Sequence, residues 1–258
     1  PRIISGARQE GKSYLARKLA GECFDEVVEV NFERTPELGA FFESKSPAKI
    51  VQLLETHLNA RIRPAKTLLF LDEIQAAPEV IPALRYFHEE APELHVICAG
   101  SLLEFTLTDF PHSMPVGRIE YLHLGPMQFE EFLLACGRER LVDLLVEFAP
   151  GNELPEALHK QLLDLFRIFL IVGGMPEAVS SYLRRGKIQD AEEVKHSILS
   201  TFKDDFGKYS GRVPYLRLRK LFTRIPGLVG KRFKYSHVDR QLPARALARA
   251  LDLLCLAR

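Results

Sequence analysis

Short apolar runs alternate with amphipathic stretches in the first half of the chain. Thr67 to Leu71 is a continuous apolar run that ends at Asp72, a pattern typical of a strand buried on both faces of a parallel sheet. The runs are separated by stretches of helical periodicity, the first of which starts near Lys12. This alternation predicts an α/β domain with a parallel sheet flanked by helices over residues 1–125. Its other predicted strands are at 3–4, 28–33, 95–99 and 119–124.

The pattern changes after Pro126, where apolar residues recur every three to four positions. Gly173-Gly174-Met175-Pro176 interrupts this helical pattern sharply. Residues 126–210 are predicted to form a helical lid subdomain, and residues 211–258 a truncated, basic, winged-helix-like segment. We expect helices at 129–136, 141–148, 155–172, 177–184, 190–206, 215–224 and from about 243 onward.

The charge of the chain is unevenly distributed. The 258 residues are 47% hydrophobic and 27% charged with a net charge of +1, which is typical of a globular protein and excludes a disordered, collagen-like or coiled-coil chain. Residues 211–258 hold 12 lysines and arginines and two acids, a net charge of +10, so residues 1–210 carry −9. The basic segment would either contact DNA or dock on the acidic remainder of the chain.

The last predicted helix has a pattern that suits DNA. Arg245 and Arg249 are four residues apart, so they share one helix face. Leu247, Leu251 and Leu254 are predicted to form the opposite, apolar face. A recognition helix at a phosphate backbone has this arrangement, while docking on the acidic part of the chain stays open as the alternative.

The cysteines and the apolar runs favour a cytoplasmic protein. The four cysteines include no C-x-x-C pair, which argues against a zinc knuckle or a thioredoxin-like motif. No apolar stretch reaches the roughly 18 residues of a membrane-spanning helix, and the start of the chain does not have the apolar core of a signal peptide. We therefore expect reduced, buried thiols and no membrane contact. Because the chain opens at Pro1 and its last helix has no capping residue, we also expect a fragment of a longer protein.

A phosphate-binding motif follows the first predicted strand. Gly6 to Ser13, GARQEGKS, matches G-x-x-x-x-G-K-[ST], in which glycines let backbone N–H groups wrap around a phosphate and the helix N-terminus adds positive potential. Lys12 would reach the β- and γ-phosphates, and the Ser13 hydroxyl would bind Mg²⁺. The strand before and the helix after the motif favour this interpretation over an ordinary glycine turn. The predicted nucleotide-binding residues are Gly6, Ala7, Arg8, Gln9, Glu10, Gly11, Lys12, Ser13 and Tyr14.

Two acids end the apolar run at residues 67–71. Asp72 has the position of a Walker-B acid and would hold a water ligand of Mg²⁺. In hydrolysing P-loop enzymes of the additional-strand type, a glutamate at the next position orients or deprotonates the attacking water, which is the catalytic role predicted for Glu73. The alternative is a solvated pair of acids at a strand end.

Two further candidate catalytic residues leave alternatives open. Ser101 follows the predicted strand at 95–99 and would either touch the γ-phosphate or the attacking water, as the polar "sensor 1" of such ATPases does, or cap the next helix. Arg118 precedes the strand at 119–124. It would stabilise γ-phosphate charge, in its own subunit or on a neighbouring one, or pair with a carboxylate.

Taken in order, these motifs resemble those of a family of prokaryotic AAA-type P-loop ATPases. The family usually carries a C-terminal domain of unknown function (number 4143), and the resemblance covers about residues 3–206. It implies ATP and Mg²⁺ as cofactors and Mg-dependent hydrolysis, but it does not supply a physiological substrate. The motifs that carry it are Gly6–Ser13, Leu71–Gln75, Gly100-Ser101, Gly117-Arg118, Leu124–Phe132 and Gly173–Glu177.

Three residues of the loop depart from the family pattern. Ala7 stands where proline is usual, Glu10 where a small apolar or hydroxyl residue is usual, and Tyr14 where a small residue is common. An acid in a phosphate loop is unfavourable unless it points to solvent or pairs with a base. We therefore expect these departures to affect the rate of hydrolysis more than nucleotide binding.

The motif set predicts an ATPase that hydrolyses Mg-ATP to drive or switch an unidentified partner, alone or as a homo-oligomer. A nucleotide-switched, DNA-associated regulator with weak turnover is the first alternative, because residues 211–258 are basic. A P-loop kinase is the second, and Glu73 disfavours it because small P-loop kinases must keep water from attacking.

Overall fold

The structure is a computed structural model that describes residues 1–101, 117–149, 151–206 and 213–256. The chain divides into two compact units, one made of residues 1–124 and 216–258 and the other of residues 125–215. The predicted boundary after residue 125 thus lies one residue from the boundary between the units. The division into three domains, with a second boundary after residue 210, stays a prediction.

Five parallel strands form the sheet of the first unit, in the order β2-β3-β4-β1-β5. This confirms the predicted α/β fold. The strand β4 lies between β1, which precedes the phosphate loop, and β3, which ends at the two acids, and it is the additional strand of the predicted fold class. The strands are β1 (Arg2–Ser5), β2 (Glu26–Asn31), β3 (Thr67–Asp72), β4 (His95–Gly100) and β5 (Glu120–His123).

All six residues of β3 are buried, because their side chains alternate between two apolar layers. Leu69 and Leu71 belong to the larger core, together with side chains of α2 and α3, and Leu68 and Phe70 belong to the smaller core beside α1. Each such side chain contributes about 1.5–3 kcal/mol when fully buried. The helices are α1 (Lys12–Cys23), α2 (Pro47–Leu58) and α3 (Val80–Glu90), with 3-10 turns at Pro36–Ser44 and Ile74–Ala76.

The second unit is helical, as the periodicity predicts. Its core contains Phe132 and Val172, which pack with small residues of the following helices. Two sequence motifs meet here, because Met127 N–H donates to the carbonyl of Gly174 over 2.7 Å. A Cβ on Gly174 would lie 2.2 Å from the Met127 oxygen, so this close approach requires glycine. The helices are α4 (Phe129–Ala135), α5 (Glu139–Glu147), α6 (Glu156–Val172), α7 (Pro176–Arg185) and α8 (Ile188–Asp205).

The described part of the basic segment is also helical. It contains α9 (Tyr215–Arg224), a 3-10 turn at Ile225–Leu228, α10 (Tyr235–Val238) and α11 (Ala244–Leu256). The buried side of α11 is formed by Leu247, Ala250 and Leu253, whereas Leu251 and Leu254 are half-buried, so the predicted apolar face is displaced. No strand occurs in residues 213–256, and the winged-helix assignment stays a prediction. None of the described helices is long and apolar enough to cross a membrane.

Candidate nucleotide-binding site

The carboxyl ends of the parallel strands gather most of the predicted site residues at one edge of the sheet. β1 ends immediately before the phosphate loop, Asp72 ends β3, and Ser101 follows β4. Asn31, the last residue of β2, is in register with Asp72. Open α/β sheets bind their ligands at this edge.

The phosphate loop holds its lysine inward. Gly6 has a φ of +150°, and a Cβ on it would lie 2.2 Å from the carbonyl oxygen of Leu124, so the first loop residue must be glycine. The Lys12 Nζ donates to the carbonyl oxygens of Gly6 (2.8 Å) and Ala7 (2.5 Å), and the residue is 8% exposed. Burial lowers the pKa of Lys12, and neighbouring carboxylates oppose this effect. A phosphate would give this ammonium an anionic partner in place of two neutral carbonyls.

The start of α1 completes the positive side of the loop. Gly11 caps the helix in a left-handed conformation, and the first turn contains no acidic residue to oppose the helix dipole. At the rim, Arg8 Nη2 lies 3.8 Å from Glu33 Oε1. Tyr14 is 71% exposed, so its ring lies on the surface of the helix.

Glu10, the unusual acid of the loop, is turned inward and does not point to solvent. The residue is 7% exposed, and its Oε2 is buried without a hydrogen-bond partner among the described residues. Burial raises the pKa of Glu10, while the charge of Lys12 and a hydrogen bond from the Ala7 backbone lower it. Neither of the two expected arrangements is formed in the part of the chain that the structure describes, because the carboxylate is turned away from solvent and the Nζ of Lys12, the nearby base, donates to the carbonyl oxygens of Gly6 and Ala7.

The loop serine and the first strand-end acid are in direct contact. Ser13 Oγ donates to Asp72 Oδ1 and Oδ2 over 3.1 and 3.0 Å. Asn31 Nδ2 donates to Asp72 Oδ2 over 3.3 Å, and the backbone N–H of Glu73 donates to Oδ1 over 3.1 Å. Asp72 is 4% exposed, and burial raises its pKa although the hydrogen bonds from Ser13 and from the Glu73 backbone oppose this.

This donor set fits Mg²⁺. The two protein groups predicted to hold the ion, a hydroxyl and a carboxylate, lie within hydrogen-bond distance of each other. Mg²⁺ prefers oxygen ligands and is usually held by one or two protein groups together with substrate phosphates and water. The described residues contain no group of three or more His, Cys, Asp or Glu that could hold a metal ion. Ser13 and Asp72 would hold the ion.

The side chain of Gln75 links the two candidate catalytic residues Glu73 and Ser101. The Gln75 Nε2 donates to Glu73 Oε2 and lies 3.5 Å from Ser101 Oγ. Ser101 is 1% exposed. Glu73 has φ 54° and ψ 45°, a left-handed conformation that costs a non-glycine residue about 1–2 kcal/mol. Such strain is typical of functional sites, where surrounding contacts maintain it.

Arg118 lies away from these residues. β5 runs parallel to β1 with Glu120 opposite Arg2, so Arg118 precedes the amino end of β5, at the sheet edge opposite the phosphate loop. Its Nε is 2.5 Å from Glu89 Oε1 near the end of α3. The structure therefore shows the carboxylate pairing that the sequence left open and does not place Arg118 beside the loop of its own chain. A contact with nucleotide on a neighbouring copy stays a prediction.

Sequence reasoning assigned no role in the site to two residues, Asn31 and Gln75, although Gln75 ends the motif Leu71–Gln75. Asn31 could have been found as the polar residue that ends an alternating strand next to the strand of Asp72. Gln75 lies two residues after Glu73 in a short 3-10 turn, and no periodic pattern marks its direction.

A parallel sheet in this order, with a phosphate loop after β1 and an Asp-Glu pair after β3, defines a P-loop ATPase fold of the additional-strand type. The chain belongs to the family described as "AAA domain", which matches residues 1–133. Residues 163–258 match a second family model, described as a domain of unknown function, DUF8612. No curated protein matches the chain.

Solved structures with a similar fold include two proteins of 14% sequence identity to this chain. One is described as the structure of C. elegans PCH-2, with a TM-score of 0.41 over 76% of this chain and 60% of that one. The chain thus spans less than two thirds of the PCH-2 chain. The other is described as the structure of Drosophila ORC bound to DNA, with a TM-score of 0.39 over 98% of this chain and 80% of that one.

Proposed function

We propose that this protein binds Mg-ATP and hydrolyses it, and that hydrolysis drives or switches a partner still to be identified. The contact between Ser13 and Asp72, beside the buried Lys12, carries the proposal, because it brings the two halves of a Mg-phosphate site together. Glu73 supplies a carboxylate at the same sheet edge. Membership of the AAA-domain family supports nucleotide binding.

The chain's own groups divide the chemistry between them. Lys12 exchanges its two carbonyl partners for phosphate oxygens, and backbone N–H groups of the loop bind the same phosphates. Ser13 and Asp72 would hold Mg²⁺, which when bound neutralises charge on the β- and γ-phosphates. Glu73 accepts a proton from the attacking water, and Ser101 orients that water or the γ-phosphate.

Four variants test this proposal. Lys12→Ala should abolish ATP binding, and Glu73→Gln should bind ATP but lose turnover, both measured as ATP affinity and phosphate release. Lys18→Ala and Glu22→Gln are the matched controls, because these exposed residues pair with each other on α1, and both should keep wild-type behaviour. Equal hydrolysis by the wild type and Glu73→Gln would contradict the catalytic assignment. Phosphoryl transfer to a metabolite, with no release to water, would favour a kinase.

The remaining parts of the chain have proposed roles in the same scheme. Residues 126–210 serve as the helical lid of the ATPase, and residues 211–258 as its basic winged-helix-like segment. Arg118 would act on nucleotide bound by a neighbouring copy in a homo-oligomer. Mixing Arg118→Ala with Lys12→Ala tests this role, since shared sites between two inactive chains would restore part of the turnover.

A DNA-associated regulator is the second candidate, and the exposed bases near the chain end favour it. Nine lysines and arginines of the described residues 213–256 are exposed, whereas Arg212 and Arg258 lie outside the described residues. Among the nine, Lys220 forms an ion pair, with Asp239. Arg245 and Arg249 are both exposed on α11, as their spacing predicts.

Salt dependence tests this candidate. Duplex DNA binding through several phosphates should weaken by orders of magnitude between about 50 and 200 mM salt. Changing Arg245 and Arg249 to Ser together should reduce the slope of log affinity against log salt by roughly two. No binding at low salt, or a flat salt dependence, would remove this candidate. ATP turnover measured with and without DNA separates a DNA-stimulated enzyme from a passive binder.

A further inference from the structure

The side-chain amide of Gln75 lies between two residues that belong to different turns of the site. Its Nε2 donates to Glu73 Oε2, just after β3, and lies 3.5 Å from Ser101 Oγ, just after β4. These are the predicted base and the predicted sensor of the γ-phosphate. Gln75 therefore bridges the two residues that would face the reacting atoms.

The direction of the amide follows from its partners. A carboxylate only accepts hydrogen bonds, so the nitrogen of Gln75 faces Glu73 and the oxygen Oε1 faces away. Oε1 is buried and has no hydrogen-bond partner in the described part of the chain. A glutamine kept for packing alone would have both ends of its amide satisfied, since an unpaired buried polar group costs about 1–3 kcal/mol. The contacts of this amide are instead made toward Glu73 and Ser101.

Glu73 needs such a partner. Its backbone is held by the hydrogen bond from its N–H to Asp72 Oδ1 and by its left-handed conformation. Its carboxylate, however, is three side-chain torsions away from that anchor. The hydrogen bond from Gln75, a residue of the described range 1–101, fixes the carboxylate end of the Glu73 side chain.

We propose that Gln75 is a positioning residue that holds the Glu73 carboxylate toward the attacking water and couples it to Ser101. This inference rests on the proposed ATPase function. Gln75 touches no reacting atom itself and acts through Glu73. Its loss should therefore lower turnover and leave nucleotide binding intact.

The test compares Gln75→Leu and Gln75→Asn with the wild type. Leu removes the amide, and Asn keeps it on a side chain too short by one methylene. For both we expect kcat to fall about 10- to 100-fold, since misplacing a catalytic group by roughly 1 Å has an effect of this size. The ATP dissociation constant should stay at the wild-type value. Gln52→Leu, on the exposed side of α2, is the matched control and should be silent.

A double variant separates positioning from a general structural role. In the Glu73→Gln background, single-turnover rates with and without Gln75→Leu should agree, because the carboxylate on which Gln75 acts is gone. Equal factors of loss in both backgrounds would overturn the proposal, as would unchanged kcat in both Gln75 variants. Absence of turnover in the wild type, or full turnover in Glu73→Gln, would instead overturn the proposed ATPase function, and the inference would fail with it.

Discussion

Asn31 offers a sharp test of how the Asp72 carboxylate, the proposed Mg²⁺ ligand, is held. Its Oδ1 accepts the backbone N–H groups of Glu33 and Arg34, each over 3.1 Å, and its Nδ2 donates to Asp72 Oδ2 over 3.3 Å. The side chain thus ties the turn after β2 to the carboxylate that would hold Mg²⁺. Asn31→Ala removes all three hydrogen bonds, whereas Asn31→Asp keeps the two acceptor bonds and changes the contact with Asp72 from attraction to repulsion.

The sizes of the two effects follow from these distances. A hydrogen bond to a charged group contributes about 1.5–3 kcal/mol and a neutral one about 0.5–1.5 kcal/mol, so the low ends give about 2.5 kcal/mol for Asn31→Ala. In Asn31→Asp, two carboxylate oxygens 3.3 Å apart would repel by about 5 kcal/mol at an effective dielectric constant of about 20. The pair of carboxylates in this variant can relieve that repulsion by binding a proton or Mg²⁺.

Urea denaturation of both variants measures these terms, in EDTA and in Mg²⁺, at acid and neutral pH. Relative to the wild type, Asn31→Asp should lose stability as the pH rises, and Mg²⁺ should restore part of the loss. Asn152→Asp is the matched control, because Asn152 is exposed and lies in the other unit. A loss below about 0.5 kcal/mol in Asn31→Ala would refute the value assigned to the three bonds. If neither pH nor Mg²⁺ changes the stability of Asn31→Asp relative to the wild type, the contact between residue 31 and Asp72 would be refuted.

Three further predictions test other parts of the structure. Burial raises the pKa of Asp72 above its ordinary value, so the folded wild type loses stability as the pH rises from that ordinary value through the raised pKa. The stability of Asp72→Asn relative to the wild type should therefore increase between acid and neutral pH, as measured by metal-free urea denaturation. Gly174→Ala should lower the Tm, since its Cβ would meet a carbonyl oxygen at 2.2 Å, whereas Gly21→Ala, with open space in α1, should stabilise by up to about 1 kcal/mol. Arg118→Ala should leave ATP affinity unchanged in calorimetric titration, because Arg118 pairs with Glu89 at the far sheet edge.

Much of the fold was predictable because its strongest signals are local. The run 67–71 is apolar at every position because β3 is buried on both faces, and the phosphate loop carries its own spacing. The 3-10 turn at Pro36–Ser44 and the four residues of α10 were not predicted, since elements this short show no reliable periodicity. The apolar face of α11 was predicted in a displaced position, because Ala250, which is fully buried, is too small to mark a helix face by hydrophobicity.

The candidate site divides in the same way. Lys12, Ser13 and Asp72 follow from motif spacing, and the structure brings them to one sheet edge. The direction of Glu10 could not follow from sequence, because whether an acid turns inward depends on the space behind the loop. Arg118 was ambiguous for a related reason: only the register of β5 shows which edge of the sheet its start faces.

The hydrogen bonds around Asp72 connect binding to turnover. The Asp72 carboxylate accepts hydrogen bonds from the side chains of Ser13 and Asn31 and from the backbone N–H of Glu73. A Mg²⁺ ion held by Ser13 and Asp72 would therefore act on a carboxylate that also anchors the backbone of Glu73, the proposed base. Gln75 anchors the other end of the Glu73 side chain. The effect of a substitution should consequently depend on its position in this chain of hydrogen bonds. Changes at the Ser13 side should weaken nucleotide binding and turnover together, whereas changes beyond the Glu73 backbone should lower turnover alone.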